Sequence, residues 1–217
     1  NIYKIEIYLT GDTNYRHDIS TSVIYKGNRL GKEKPTGFYE IKEHLMEKFG
    51  SILTDGEEAD DAMSISACRV GDSTKVVVVS ADKDTKIIPS YNWDGNPEHP
   101  IQLCSDPGYL QFQRRRGYNQ IVGCGIKFFY WQLMMGDAAD NIKRPWRYGR
   151  GDIFKHYTNL QALNTEAEMF KYVLDVYLMN HSDYARLLEN GRLLWLRRQP
   201  DEIWEPSENV REETVAK

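Results

Sequence analysis

The run Lys75-Val76-Val77-Val78-Val79-Ser80-Ala81-Asp82-Lys83-Asp84 decides how the rest of the chain is read. Four successive valines with no polar alternation predict a strand buried on both faces, as in a parallel sheet with helices on each side. The run stops at two carboxylates one residue apart. Open α/β sheets bind ligands beyond the carboxyl ends of their strands, and in an extended backbone Asp82 and Asp84 share a face. Like charges so close repel unless a cation lies between them. An isolated Asp-x-Asp after a strand is also what a solvated acidic turn looks like, so the other acidic stretches have to decide.

Working outward, the 217 residues can bury a sizeable core, and 28% are charged and 12% aromatic. No apolar stretch approaches the roughly 18 residues of a membrane span, and the opening Asn1-Ile-Tyr-Lys-Ile-Glu is not a signal peptide. The absence of an initiator Met suggests a processed or trimmed form. Cys68, Cys104 and Cys124 are odd in number and lack metal-ligand spacing, which fits a reducing, cytoplasmic setting. The net charge of −4 excludes a uniformly basic coat, yet the charge is uneven. Acid gathers at Asp55 to Asp61, and base at Arg114-Arg115-Arg116, Lys143 to Arg150 and Arg197-Arg198. A polyanion could dock on the basic patches and reach an acidic pocket whose charge is neutralised by metal ions.

Residues 2–9 alternate apolar and charged, predicting a strand that ends at Gly11-Asp12, and the basic, aperiodic residues 13–36 predict a long exposed loop. Phe38, Ile41, Leu45 and Phe49 recur at helical spacing and predict an amphipathic helix over 38–49, closed by Gly50 and covering a sheet face. Thr54 and Glu57 have capping-box spacing for a following helix, on which Glu58 and Asp61 share a face. Tyr109 to Phe112 reads as a strand and Gly125 to Met135 as a buried helix running into Gly136-Asp137-Ala-Ala-Asp140-Asn141. Further helices are predicted over 153–157, 166–179 and 183–198, with Trp195 and Trp204 packing the tail onto the body and a polar end over 207–217.

Four acidic clusters therefore lie at element ends: Asp12, Glu58-Ala-Asp60-Asp61, Asp82-Lys-Asp84 and Asp137-Ala-Ala-Asp140. If the ends converge on one rim, so many carboxylates require divalent metal, and all-oxygen donors suit Mg²⁺ or Mn²⁺ rather than zinc. Two such ions roughly 4 Å apart clamp the attacking and leaving oxygens of an in-line phosphoryl displacement, which is nuclease chemistry.

Gly56-Glu-Glu58-Ala-Asp60-Asp61, Ser80-Ala-Asp82-Lys-Asp84 and Met135-Gly-Asp137-Ala-Ala-Asp140-Asn-Ile142 resemble, in order and spacing, the acidic motifs of the 5′ nuclease family. That family comprises flap endonucleases, the 5′-to-3′ exonuclease domain of bacterial DNA polymerase I, and phage exonucleases. The tail, with Ala185-Arg-Leu-Leu, Leu194-Trp195 and Ile203-Trp204-Glu-Pro206, is most similar to the phage members. The resemblance implies an α/β fold of PIN-like architecture, with a central, mainly parallel sheet and helices on both faces. It implies a nuclease core over 1–141 and a helical DNA-binding part over 142–206 packed on it. Glu58, Asp60, Asp82, Asp84, Asp137 and Asp140 would hold two or more Mg²⁺ or Mn²⁺ ions, with Asp12 and Asp61 helping. Tyr25-Lys26-Gly-Asn-Arg29 is similar to the base of the family's helical arch, so Lys26 and Arg29 would contact the scissile phosphate. Arg16, Lys143, Arg144, Arg147 and Arg150 would bind DNA. The implied substrates are 5′ ends and flaps of DNA, with RNA–DNA hybrids within reach, in a phage-infected bacterial cytoplasm.

The chain departs from the family at two places. The family's first strand, with its metal-binding Asp, has no counterpart before residue 2, which implies an upstream part of a longer gene product or, alternatively, a strand supplied by a separate chain or truly absent. Lys143-Arg-Pro-Trp-Arg-Tyr-Gly149-Arg-Gly151 keeps glycines and positive charge without the usual helix-hairpin pattern. DNA gripping is still expected there, whereas the departure tells against the family's K⁺ ion. Two other readings stand beside the nuclease. A DNA-structure-binding protein of the same fold with an incomplete metal site accounts for the missing Asp. A haloacid-dehalogenase-like phosphatase shares the Asp-x-Asp strand end, but needs Thr two residues after the second Asp, and Thr85 follows Asp84 by one.

Overall fold

A computed structural model describes residues 2–115, 118–146, 150–207 and 210, with 115, 118, 119 and 150–152 described by backbone alone. The elements run β1 (Tyr8–Leu9), α1 (Arg16–Ile19), α2 (Phe38–Phe49), β2 (Ile52–Leu53), α3 (Ala59–Arg69), β3 (Val77–Val79), β4 (Ser90–Trp93) and β5 (Gln102–Cys104). They continue with β6 (Tyr109–Arg115), β7 (Tyr118–Cys124), α4 (Gly125–Met135), α5 (Arg150–Ala162), α6 (Glu166–Met179) and α7 (Tyr184–Leu194). Among the described residues, no helix is long and apolar enough to cross a membrane.

The core is built around α4. Phe129, Tyr130, Leu133 and Met134 on this helix are sealed from solvent, against Met169, Phe170, Val173 and Tyr177 of α6 and Leu187 and Leu193 of α7. Each large apolar side chain buried in this way contributes roughly 1.5–3 kcal/mol. The Tyr177 hydroxyl donates to the Leu133 carbonyl at 2.8 Å and accepts from Asn190 at 2.8 Å, so the polar atom carried into this core is satisfied. The Phe129 ring lies 4.9 Å from Trp195 and 5.1 Å from Trp204, centroid to centroid, so the two tryptophans do pack the tail back on the body. The core thus runs through both sides of residue 141.

The mixed α/β character is as expected, but the sheet is not. In place of one central parallel sheet, the described residues form three small ones: β1 with β2 in parallel, β4 between β3 (parallel) and β5 (antiparallel), and the antiparallel hairpin β6–β7. The valine run supplies a three-residue strand buried on one face only, with Val78 at 3% exposure and Val77 and Val79 at 53% and 55%. Burial of a strand on both faces needs a layer on each side, and here only one face is covered. Helix α2 has the predicted ends, closed by Gly50 at φ 62°, a backbone that favours glycine. It does not cover a sheet, since Ile41 and Phe49 are each 61% exposed.

The 13–36 segment is also less exposed than its composition predicts. Helix α1 packs against α7, and Arg16 and Tyr25 are buried at 1% and 2% exposure. Glu189 of α7 accepts the backbone N–H groups of Thr21 and Ser22, each at 2.8 Å, and fixes the approach to Tyr25 and Lys26.

Candidate metal and phosphate site

Four stretches distant in sequence meet in one pocket of about 120 Å³, lined by Lys26, Arg29, Asp60, Asp82, Lys83, Asp84, Asp137, Ala139 and Asp140. Each arrives by a local device. Helix α3 starts at a cap formed by Glu58, whose N–H donates to Asp61 Oδ2 at 3.3 Å, rather than at Thr54, whose hydroxyl bonds the Glu57 carbonyl. This leaves Asp60 on the pocket side. After β3 the chain does not stay extended. It turns into a 3₁₀ turn over Lys83–Ile87, in which the Asp82 carboxylate accepts the Asp84 N–H at 3.0 Å, so the two aspartates are set by a cap and not by strand alternation.

Asp137 and Asp140 lie in the loop beyond α4, not on the helix. The loop is closed by paired hydrogen bonds between Asp137 and Ile142, of 2.8 and 2.7 Å. It starts at Gly136, with φ 67°, where a Cβ would stand 2.5 Å from the Ile142 carbonyl oxygen. Asp137 Oδ1 accepts from the Ala139 N–H at 2.6 Å, holding its carboxylate in place.

Cations from the pocket wall close the arrangement. Lys83 Nζ donates to Asp84 at 2.7 Å and to Asp137 at 2.6 Å, with half of its side chain exposed. Lys26 pairs with Glu58 and lies 3.9 Å from Asp140, and Arg29 donates to Asp140 at 2.6 Å. The Tyr25 hydroxyl lies 3.0 Å from both Glu58 Oε2 and Asp140 Oδ2. Lys26 itself adopts a left-handed backbone, φ 53°, with its N–H on the Asp140 carbonyl at 3.0 Å. Glu58 lies behind the pocket wall, in a neighbouring cleft it shares with Arg16, Tyr25, Asp60, Asp84 and Asp140.

Among the described residues that line it, five carboxylates against three cations leave an excess of two negative charges when all are ionised. Burial, reinforced by the Asp61 charge, pushes the Asp60 carboxyl up to about 7. Burial likewise raises Asp84 and Asp140. Burial acts in the same sense on Asp137, but the Lys83 ammonium and the amides of Ala139 and Asp140 outweigh it and hold that carboxyl below its usual range. A pocket with surplus buried carboxylate gains most from a further cation, and an all-oxygen donor set suits Mg²⁺ or Mn²⁺. The donors fit in kind. Among the described residues, however, no three of them converge tightly enough to hold one ion, and Lys83 stands between two of them.

Several expected site residues lie elsewhere. Asp61 is fully buried in a two-pronged pair with Arg16, whose Nη2 lies 2.9 Å from Asp61 Oδ1. The same guanidinium bonds the Leu193 carbonyl at 2.9 Å and the Trp195 carbonyl at 2.6 Å. Asp61 is therefore structural rather than a helper to metal, and Arg16 is not placed to touch DNA, because every face of its charged group is used inside the protein. Asp12 is exposed and outside the pocket. Lys143 and Arg144 are exposed near the end of the Asp137 loop; Arg147 and the side chain of Arg150 lie outside the described residues. Three residues in or beside the pocket had no assigned role in the sequence reading: Lys83 in its lining, Tyr25 in the neighbouring cleft, and Gln132, whose amide donates to Asp84. A cation inside the Asp-x-Asp motif was the available signal for Lys83. Thr85 is buried, with its hydroxyl committed to the Asp82 carbonyl at 2.8 Å.

Over 134 residues the sequence is 33% identical to the exonuclease of Escherichia phage T7, an overlap covering 56% of this chain and 44% of that protein. The chain is similar to phage exonucleases. A 90-residue stretch is also 34% identical to the exodeoxyribonuclease of Enterobacteria phage T3, covering 40% of this chain and 30% of that one. The chain spans less than half the length of these two phage exonucleases. No protein-family model matches it, and no solved structure does.

Proposed function

We propose that this chain carries the catalytic pocket of a divalent-metal-dependent nuclease, hydrolysing DNA phosphodiesters near 5′ ends as an exonuclease or flap endonuclease, on a PIN-like frame and in a bacterial cytoplasm. The observation that carries the reading is the convergence of Asp60, Asp82, Asp84, Asp137 and Asp140 with Lys26, Arg29 and Lys83 in one pocket. The similarity to two phage exonucleases supports it. Those aspartates, with Glu58 behind them, are the residues that would hold Mg²⁺ or Mn²⁺, which when bound supplies an activated water and neutralises charge developing on the phosphate. Lys26 and Arg29 orient the phosphate from the pocket wall. The left-handed backbone of Lys26 and the bond from Arg29 to Asp140 fix where their side chains start. Tyr25, whose hydroxyl reaches Glu58 and Asp140, positions the carboxylates.

The test is cleavage of an end-labelled duplex and of a 5′-flap substrate in Mg²⁺ and in EDTA, by the parent and by Asp84→Asn. The parent is expected to cut only with metal, and Asp84→Asn to be slower by about 10²–10³-fold with DNA affinity retained. Cleavage by Asp84→Asn at the parent rate would sink the site assignment. One observation favours a second reading, a DNA-structure-binding protein without catalysis: the carboxylates are held by the protein's own cations and do not converge in threes among the described residues. Tight binding of flap DNA with no cleavage in Mg²⁺ or Mn²⁺ would select it.

A further inference from the structure

Lys83 is a cation of the pocket rim. It emerges from the turn between Asp82 and Asp84, half of its side chain is exposed, and its ammonium bridges Asp84 and Asp137. Both carboxylates have other partners. Asp84 accepts from Gln132, and Asp137 accepts from the N–H groups of Ala139 at 2.6 Å and Asp140 at 3.3 Å. Removing the ammonium therefore leaves the two acids in position but uncompensated. The lysine stem is long and flexible, and from the pocket rim it can turn to solvent without disturbing the turn that carries it.

We propose that Lys83 is a built-in counterion: it holds Asp84 and Asp137 in the metal-free protein, yields them to a divalent cation, and then binds a backbone phosphate of the DNA substrate. This rests on the metal-dependent reading above and adds an order of events to it. An ammonium and a divalent ion cannot share the same two carboxylates, because like charges at that separation repel in a partly buried pocket. Once released, the ammonium faces the mouth of the pocket, where a polyanion is the nearest available partner. Metal and DNA binding are thereby coupled through a single side chain, each favouring the state that accepts the other.

The experiment measures Mn²⁺ binding calorimetrically, in the absence of DNA, for the parent chain, Lys83→Met, Lys83→Arg and Asp84→Asn. With two partly exposed ion pairs no longer to be displaced, Lys83→Met is expected to bind Mn²⁺ about five- to tenfold more tightly, while Lys83→Arg stays near the parent. Affinity for a 5′-ended duplex is then followed against salt, with Ca²⁺ or with EDTA. Loss of one phosphate contact lowers the slope by about 0.9 in Lys83→Met with Ca²⁺ and leaves it unchanged in EDTA. Equal or weaker Mn²⁺ binding by Lys83→Met overturns the counterion role, and an unchanged slope in Ca²⁺ overturns the phosphate contact. If the parent takes up no Mn²⁺, the metal reading and this inference fall together. If the parent binds, Asp84→Asn does not, and Lys83→Met equals the parent, the metal reading stands and the inference about Lys83 alone fails.

Discussion

Arg16 and Lys83 both pair with aspartates, yet Arg16 is 1% exposed while half of the Lys83 side chain is in solvent. Arg16 spends its guanidinium on Asp61 and on two main-chain carbonyls, and Asp61 takes a further N–H from Arg197 at 3.1 Å. No part of that pair is available to a ligand. Around the pocket the pairs are lopsided: among the described residues cations are fewer than carboxylates, and two of them, Arg29 and Lys83, have half of the side chain exposed. Two neighbouring acids, Asp60 and Asp61, fall on opposite sides of this divide. What separates Asp61 from the pocket acids is whether the countercharge is sealed in the core or partly open to solvent.

The comparison can be broken most easily at its rigid end. Arg16→Ala leaves Asp61 buried without its partner and is expected to destabilise the protein by about 3–5 kcal/mol in urea unfolding. A loss under about 1 kcal/mol would mean that the pair is no more locked than those of the pocket. Lys26→Ala sharpens the other end. It is expected to lower turnover by about a hundredfold while costing less stability than Arg16→Ala, because Glu58 keeps Tyr25 and Arg16 as partners. A large drop in melting temperature with unchanged turnover would reverse the assignment.

Glu189 gives the smallest and most pH-specific effect. Burial opposes its charge, but the Ser22 hydroxyl and the N–H groups of Ser22 and Thr21 outweigh this and hold its carboxyl below the ordinary 4.5. A depressed carboxylate contributes its stability fully above the unfolded pKa and loses it as pH falls through the folded one. Glu189→Gln is thus expected to cost about 1–2 kcal/mol near neutrality. The difference from the parent should hold steady down to about pH 5 and shrink below it. A difference that grows on acidification would show that Glu189 is not an ionised anchor for residues 21 and 22.

Local signals carried the helices. Spacing and a terminal glycine set α2 to Phe38–Phe49, and an unbroken apolar run set α4 to Gly125–Met135, both as observed. The sheet was not legible in this way, because Val76 to Val79 say that they are apolar but not how many layers cover them. Four of the five pocket aspartates were readable as pairs that keep close company in sequence, Asp82 with Asp84 and Asp137 with Asp140. Asp61 was indistinguishable from Asp60, because its partner lies 45 residues away and is itself fixed by carbonyls 177 and 179 residues further along. Burial of Arg16 is a property of that long closure, and a run of Asn, Arg and Lys gives no hint of it.

That closure also sets a timetable for folding. A contact that joins residue 16 to residues 193 and 195 closes loops of 177 and 179 residues and carries their entropy. It belongs to the slow, non-local part of the search, after helices α2 and α4 can form from neighbours alone. Until residue 195 has been made and folded back, Arg16 lacks the carbonyls that hold it against Asp61. The sealing of Asp61 is completed only by carbonyls of α7 and of the residue that follows it.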